Sequence, residues 1–141
     1  MQKKAVNFTR RSLCPLNASV EMLGDRWSLL ILRDMMLRGS RTYKEFLEAS
    51  LEGIATNILA DRLRRLERNG IIHAKPDARD GRRMIYTLTR KGIDLAPVLT
   101  EMVLWAAKHE RTGNQPLIRK MCANKQAFIA EVVKRLRAAK E

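Results

Sequence analysis

The clearest alternation of apolar and polar positions in the 141-residue chain lies between Gly53 and Arg83. In the first half of this stretch, apolar residues recur at helical spacing and fall on one face; they are Ile54, Ile58, Leu59, Leu63 and Leu66. The opposite face carries Asn57, Ala60, Asp61, Arg64, Arg65 and Arg68. Gly70 is typical of a helix end because glycine accepts a left-handed conformation. The pattern therefore predicts an amphipathic helix over Ala55–Asn69.

The second half of the stretch has the pattern of a β-hairpin. A short strand begins at Ile71, and the tip is polar around Asp80 and Gly81. In the second strand, Ile85 and Thr87 alternate with residues of the opposite face, namely Met84, Tyr86 and Leu88. A helix with one polar face, followed by a hairpin with a basic tip, is typical of the part of a winged helix-turn-helix that reads DNA. The helix suits the DNA major groove, and the tip suits the backbone or the minor groove.

Two helices are predicted near the start of the chain. Pro15 suits the first turn of a short helix that Gly24 would end. Asp25 can cap the next helix by accepting a bond from an orphan backbone amide. That helix, from Arg26 to about Leu37, is apolar on nearly every side, so we expect it to be the buried spine of the domain.

A capping box predicts the helix that precedes the amphipathic one. Thr42 stands at the cap position and Glu45 follows three residues later, a spacing at which the two side chains satisfy backbone amides. The helix-turn-helix pair is then Tyr43–Ala49 and Ala55–Asn69, joined by a turn at residues 51–53.

Helical spacing of apolar residues returns after the hairpin. Thr89 can cap a long helix that runs to about His109. Pro97 predicts a kink or short break near Ile93, because proline removes one backbone hydrogen bond and its ring clashes with the carbonyl one turn earlier. A last single helix would carry an apolar stripe over residues 117–136. Such a stripe needs a covering, which is either the core of the same chain or a second subunit.

These elements predict a mainly α chain with a small β-hairpin, of the α+β class. The architecture would be a winged helix-turn-helix with N- and C-terminal dimerisation helices. Residues 1–110 would form the DNA-binding domain with its flanking dimerisation helices, and the wing would occupy about 71–88. Residues 111–141 would form a C-terminal helical extension at the dimer interface.

Charge and composition narrow the choice of partner. The net charge of +13 at pH 7 favours a polyanionic partner or basic faces exposed to solvent. A hydrophobic fraction of 45% is enough for a core and argues against wholesale disorder. Many basic proteins bind no nucleic acid, so the charge gains weight from its place beside the helix-turn-helix pattern.

No catalytic or metal-binding pattern is visible in the sequence. The chain has no GxGxxG, Walker, HExxH or GxSxG motif, and its two cysteines and two histidines lack zinc-site spacing. The longest apolar run, at residues 27–32, is too short to span a bilayer, and the basic N-terminus lacks the apolar core of a signal peptide. We therefore expect no enzyme activity, metal, cofactor or membrane association, and a cytoplasmic location.

The residues from Cys14 to Trp105 resemble the HxlR family of bacterial winged-helix regulators. The matching segments, in order, are CPLNASVEMLGDRWSLLIL, RGSRTYKEFLE, GIATNILADRLRRLERNGII and YTLTRKG, with Trp105 following. The resemblance implies a homodimer held by the N-terminal helix and the C-terminal helices. It also implies that this dimer binds a roughly palindromic operator in double-stranded DNA and regulates transcription.

Three features depart from the family pattern. The segment PDARDGRRMIYTLT is more similar to the wing of MarR regulators, which implies that Asp80 orients Arg82 and that Arg82 enters the minor groove. HxlR-type recognition helices usually start with a capping serine or threonine, whereas this chain has Ala55 followed by Thr56. Thr56 would then cap the helix one residue later. The tail beyond Trp105 is also longer than the usual ending of the family.

The recognition helix and the wing supply the candidate DNA contacts. Asn57 can bond an adenine edge, and Arg64 a phosphate or a guanine. The alternative is a solvated face on which Asp61, expected to be turned away or paired, forms a helix-spaced ion pair with Arg64 or Arg65. The predicted DNA-binding residues are Arg41, Thr56, Asn57, Ala60, Arg64, Arg65, Arg79, Arg82 and Arg83.

The arginines outside the helix also have two interpretations. Arg79, Arg82 and Arg83 suit phosphates or a narrow A·T minor groove, where the negative potential is enhanced. The alternative is an exposed turn that is kept solvated by charge. Arg41 can touch a backbone phosphate or pair with Glu45.

Cys14 is a candidate redox sensor. In some HxlR-type regulators a cysteine at this place senses oxidants or electrophiles, although the family cysteine is also frequent where no sensing occurs. A helix N-terminus with the basic neighbours Arg10 and Arg11 would favour the thiolate. The effector would then be an oxidant or an unidentified small molecule. Cys122 is expected to be a small apolar filler in its helix.

The leading hypothesis is a sequence-specific, homodimeric regulator that represses by occlusion. Two recognition helices would enter successive major grooves about 34–36 Å apart, with the wings on the flanks. The first alternative is a non-specific basic architectural protein that coats DNA or RNA through charge. The second is a protein–protein adaptor, which would not need arginines on both the helix and the wing tip.

Overall fold

The computed structural model describes residues 10–139, which form eight helices and one two-stranded antiparallel hairpin. In chain order the elements are α1 (Pro15–Leu23), α2 (Arg26–Arg38), α3 (Tyr43–Ala49), α4 (Thr56–Arg68), β1 (Ile72–Pro76), β2 (Met84–Leu88), α5 (Arg90–Ile93), α6 (Ala96–His109), α7 (Gln115–Ala123) and α8 (Lys125–Ala138). The predicted fold class is confirmed, because the described part is mainly helical with a small hairpin. Residues 1–9 and 140–141 of the two predicted domains lie outside the described residues.

Helix α2 is the buried spine that the sequence predicts. Asp25 caps its start, and one carboxylate oxygen accepts the backbone amides of Trp27 and Ser28 at 2.8 and 2.9 Å. Gly39 ends it with a φ of 71°, a left-handed C-cap that suits glycine. The apolar residues of α2 that are buried in the core are Ile31, Leu32, Met35 and Met36.

The cap of α3 differs in detail from a reciprocal capping box. The Thr42 hydroxyl oxygen accepts the Glu45 amide at 3.2 Å, as predicted. The Glu45 carboxylate in turn accepts the Thr42 hydroxyl at 3.0 Å. The helix is therefore fixed at its start, and it buries Phe46 against the core.

Helix α4 leads directly into the wing. Gly70 ends α4 with a φ of 70°, as the sequence predicts. Strands β1 and β2 then pair with Ile72 opposite Leu88. The Tyr86 amide donates to the Arg41 carbonyl at 2.8 Å. The segment before α3 therefore lies along the outer edge of β2.

The predicted break after the hairpin is present between α5 and α6. Thr89 caps α5 by accepting the Gly92 amide at 3.2 Å, and Pro97 lies in the first turn of α6. Gly92 packs against the end of the α4–β1 turn, since a Cβ at this position would lie 2.2 Å from the Ile71 carbonyl oxygen. Helix α5 thus joins the wing closely to the body of the domain.

The prediction of a single last helix is wrong, because the segment is divided into α7 and α8 at Asn124. The Asn124 side chain accepts the Ala127 amide at 3.0 Å and so begins a new helix. Met121, Phe128 and Val132 are buried in the core, where α8 packs on α2, α5 and α6. The core of the same chain therefore covers the middle of the apolar stripe.

Large apolar side chains remain exposed on other elements. They are Leu13, Leu16, Val20, Leu51, Val98, Met102 and Trp105. On α6 the last three line an open, mainly apolar groove of about 500 Å³, together with Pro97 and Glu101. Within residues 10–139, no helix is both long and apolar enough to cross a membrane.

Candidate nucleic-acid interface

The polar face of α4 lies outward because its apolar face packs into the core. The buried side is formed by Leu59, Leu63 and Leu66. On the other side, Thr56, Asn57 and Arg64 are exposed, and Ala60 and Arg65 are partly exposed. Residues 56, 60 and 64 follow one another at helical spacing. The structure therefore brings the predicted helix residues together on an accessible surface.

Helix α4 begins without a side-chain cap. Its N-cap residue is Ala55, whose methyl group accepts no hydrogen bond, and Thr56 is already the first helical residue. The expectation that Thr56 caps the helix is therefore wrong. The Tyr43 hydroxyl donates to the Thr56 carbonyl at 2.7 Å, and this bond fixes the start of α4 to α3.

Asp25 connects the start of α2 to the middle of α4. Its Oδ1 lies 3.0 Å from Arg62 Nε, and its Oδ2 lies 2.5 Å from the Ser28 hydroxyl and 3.9 Å from Arg65 Nη1. Burial by itself raises the pKa of Asp25, but the bonds from Ser28, the Trp27 amide and Arg62 outweigh it and leave the pKa lowered. No local sequence pattern predicts this contact, because its partners lie 37 positions apart.

The helix-spaced ion pairs considered for α4 do not form. Asp61 is paired, as expected, but its partner is the adjacent Arg62. Arg65 turns towards Asp25. Arg64 forms no salt bridge with any residue of the described part, so its positive charge remains available on the outward face.

A second acid–base cluster supports the turn between α3 and α4 from behind. The Arg33 guanidinium bonds both carboxylate oxygens of Glu52 at 2.7 and 2.8 Å, and its Nη2 also lies 3.0 Å from the buried Asp34. Burial raises the pKa of Asp34, whereas the bond from Arg33 lowers the pKa of Glu52. The turn is thereby held against α2.

At the wing tip, Asp80 holds Arg82. The Asp80 Oδ1 accepts the Arg82 amide at 3.1 Å and its Nε at 3.2 Å. The contact that the MarR likeness implied is therefore present. The Arg82 side chain is 93% exposed, so the remaining guanidinium donors point into solvent and are available to a ligand.

Asp77 organises the rest of the wing. Its Oδ2 accepts Arg83 Nε and Nη2 at 3.0 and 2.7 Å, and its Oδ1 accepts the Arg79 amide at 3.0 Å. The bonds from Arg79 and then Arg83 lower the pKa of Asp77. Asp77, followed by the charges of Asp80 and Glu45, raises the pKa of Arg83. Arg83 is thus bound to its own hairpin, while the Arg79 side chain is exposed.

The Arg41 guanidinium does not pair with Glu45 in the structure. Its Nη2 lies 3.5 Å from the Ala139 carbonyl oxygen. The expected pair with Glu45 is not found, because that carboxylate accepts the Thr42 hydroxyl. Arg41 therefore lies between the wing and the end of α8.

The two cysteines are both exposed and unlinked. Cys14 is the N-cap residue of α1, and its backbone amide donates to the Ser12 hydroxyl at 3.4 Å. The expectation that Cys122 is an apolar filler is wrong, since α7 buries the preceding Met121 and turns the next position outward. Residues 10–139 hold no group of three or more His, Cys, Asp or Glu arranged for a metal ion.

Comparison with known sequences gives matches of one kind. A family model described as HxlR-like helix-turn-helix matches residues 22–114. The chain is 35% identical over 104 residues to the HTH-type transcriptional regulator YodB of Bacillus subtilis (strain 168). That alignment covers 73% of this chain and 91% of YodB.

Solved structures of similar fold agree with the sequence matches. PA1607 superposes with a TM-score of 0.66 at 34% identity, covering 75% of this chain and 72% of PA1607. The redox regulator HypR in its oxidized form superposes with a TM-score of 0.61 at 25% identity, covering 70% of this chain and all of HypR. Quinone-bound YodB superposes with a TM-score of 0.53 at 35% identity, covering 68% of this chain and 99% of YodB.

Proposed function

The chain belongs to the HxlR-like helix-turn-helix family of transcriptional regulators, and from this premise we propose that it is a sequence-specific repressor. It acts as a homodimer that occludes a palindromic operator in double-stranded DNA. It works in the cytoplasm and carries out no catalytic step.

The observation that supports this proposal is the outward polar face of α4 beside a hairpin with two available arginines. Asn57 offers an amide donor and an acceptor, which match the edge of an adenine in the major groove. Arg64 has no carboxylate partner in the described part and suits a guanine or a phosphate. Arg82, oriented by Asp80, and Arg79 suit the backbone or the minor groove on the flank.

The exposed apolar residues support the homodimer. Leu16 and Val20 lie on α1, and Met102 and Trp105 lie on α6, the two regions that hold the dimer in the family resemblance. Exposed apolar surface of this extent is typical of an interaction site. A two-fold axis through this region presents two α4 helices to successive major grooves, and this arrangement predicts a palindrome. The C-terminal extension remains a predicted part of the interface, although its apolar stripe is covered by its own chain.

The test is selection of bound genomic fragments followed by sequencing. We expect enrichment of an inverted-repeat motif, and we expect the enriched fragment to compete for the protein far better than random DNA in a gel shift. Equal competition would contradict sequence specificity and would favour the non-specific architectural alternative.

We further propose that Cys14 senses an oxidant or an electrophile such as a quinone. The thiol is exposed at the start of α1, and the similar structures include HypR in an oxidized form and quinone-bound YodB. A mild thiol oxidant is expected to release DNA and a reductant to restore binding. Cys14→Ser should remain bound throughout, whereas Cys122→Ser, which removes the other exposed thiol, should respond like the wild type. An identical response of wild type and Cys14→Ser would exclude the sensor.

A further inference from the structure

The end of α8 lies beside the helix-turn-helix and the wing. Arg135 Nη2 donates to the Met36 carbonyl near the end of α2 at 2.6 Å. Arg41 reaches the Ala139 carbonyl, and the Arg41 carbonyl accepts the Tyr86 amide of β2. The end of α8 is therefore bonded to α2, and the Arg41 side chain links the residue after α8 to the segment that lies along β2.

The positive charges of α7 and α8 are partnered unevenly. Away from Arg41, Lys125 pairs with Glu101, and Lys120 lies 3.8 Å from Glu131. Towards the end of α8, Lys134 and Arg137 are exposed, and neither forms a salt bridge or a side-chain hydrogen bond within residues 10–139. Lys120 and Lys125 are thus partnered by acidic residues, whereas Lys134 and Arg137, like Arg119 of α7, have no acidic partner within residues 10–139.

Helix electrostatics alone accounts for only part of this arrangement. Cations in a last turn interact favourably with the partial negative charge of the helix end, and Arg137 lies within that turn. Lys134 stands a turn earlier, and Arg135 uses its guanidinium to attach the helix to α2. The bond to α2 and the Arg41 contact together hold this basic helix end to the body of the domain and to the segment that lies along β2.

We propose that Lys134 and Arg137 bind the phosphate backbone of the duplex beside the wing, as a third DNA contact of each protomer. The proposal rests on the DNA binding proposed above and extends it to α8, which lies beyond the residues 22–114 that match the family. A duplex carries one negative charge per ~1.7 Å of its axis, so a cationic helix end linked to the wing through Arg41 would meet further phosphates. The contact reads no sequence; it adds affinity and fixes the orientation of the protein.

The experiment is a salt titration of binding to a random-sequence duplex, because phosphate contacts do not require the operator. The double variant Lys134→Ala/Arg137→Ala is expected to flatten the slope of log affinity against log salt by ~0.9 for each lost contact. Its affinity at low salt should fall by about tenfold for each lost contact. A change of ~0.9 in this slope corresponds to about one decade of affinity per decade of salt concentration. Lys125→Ala, on the same helix but paired with Glu101, is the matched control and should behave like the wild type.

Arg82→Ala serves as the reference for the wing. If Arg82→Ala lowers affinity and slope while the double variant leaves both unchanged, the α8 contact is excluded and DNA binding stands. If the wild type shows no salt-dependent binding, the proposed function and the α8 contact fail together. An equal loss in Lys125→Ala would show a general effect of net charge and would also exclude the site. Circular dichroism checks folding, and Lys134→Gln/Arg137→Gln repeats the test with longer polar side chains.

Discussion

Asn57 and Arg82 stand on different elements and offer different chemistry to DNA. Asn57 is exposed on the outward face of α4, where an amide can distinguish one base edge from another. Arg82 is held by Asp80 at the wing tip, where a charged donor suits phosphate or a narrow groove. Specificity and affinity should therefore separate by residue.

Asn57→Ala is expected to weaken operator binding by about 1–3 kcal/mol and to leave random-DNA binding nearly unchanged. Arg82→Ala is expected to weaken both and to flatten the salt slope by ~0.9 per lost phosphate contact. If Arg82 enters the minor groove instead, its loss should affect A·T-flanked sites more than G·C-flanked sites.

The measurement is a salt titration of both variants on the selected operator, a flank-swapped operator and random DNA. Arg68→Ala, at the far end of α4, is a control for the general loss of a helix charge. Unchanged affinities and slopes for Arg82→Ala would show that Arg82 does not contact DNA and that the wing tip is only an exposed turn. If Asn57→Ala lowered the affinity for operator and random DNA equally, a role of Asn57 in reading a base would be excluded.

The stability of the fold is expected to depend on pH through Asp25, because its carboxylate caps α2 and bonds Arg62. Asp25→Asn should lower the free energy of unfolding at pH 7 by about 1–3 kcal/mol. The folded-state pKa of Asp25 is lowered, so the contribution of the carboxylate is complete above its unfolded pKa. That contribution is lost as the pH falls through the folded pKa. The difference between wild type and variant should be constant from pH 7 to about 5 and should shrink below about pH 4.

Urea unfolding at a series of pH values measures this difference. Asp61→Asn removes the more exposed partner of the same Arg62 and should change stability by less than about 1 kcal/mol. A wild-type advantage that persists undiminished at pH 2 would show that Asp25 acts only as an uncharged cap.

Among the elements, the close fit of α5 against the start of the wing can be tested by a single substitution. Gly92→Ala would place a methyl group 2.2 Å from the Ile71 carbonyl oxygen. Although alanine favours helices, the backbone oxygen has little room to move, and we expect a loss of about 1–3 kcal/mol. Thermal unfolding measures it. Gly81→Ala at the wing tip, where a Cβ meets nothing within 4 Å, should change stability by less than about 0.5 kcal/mol.

The elements with local signals were predictable from the sequence. The cap at Asp25, the left-handed stop at Gly70 and the break at Pro97 each depend on residues within one or two turns. The division of the last helix was missed because the apolar spacing continues through Asn124, and one side-chain bond to Ala127 decides the break.

The site was less predictable than the fold because its geometry depends on distant partners. The Asp25–Arg62 bond joins segments 37 positions apart, and the Arg41–Ala139 contact joins segments 98 positions apart. No local spacing of residues predicts either contact. By contrast, the Asp80–Arg82 contact joins residues two apart, and its motif was visible in the sequence.

At the scale of the whole molecule, the apolar groove on α6 predicts a homodimer with this helix in its interface. Trp105→Glu places a charge in the proposed interface, where burial without a partner is costly, and should convert the dimer to a monomer at micromolar concentration. Light scattering during size exclusion gives the mass. Leu51→Glu, which charges an exposed leucine on the α3–α4 turn, should retain the dimer mass. A dimer of Trp105→Glu would exclude α6 as the interface, and a monomeric wild type would remove the two-fold operator argument.

The packing of α8 on α2 has a consequence for biosynthesis. The ribosome completes α2 early, but Phe128 and Val132 of the shared core emerge about 100 residues later than the start of that helix. At ~5–20 residues per second, the nascent chain carries an unfinished core for several seconds. During that interval its uncovered apolar surface is open to chaperones and to neighbouring chains. A premature stop codon after the family-matched residues would therefore produce a chain whose core is never closed.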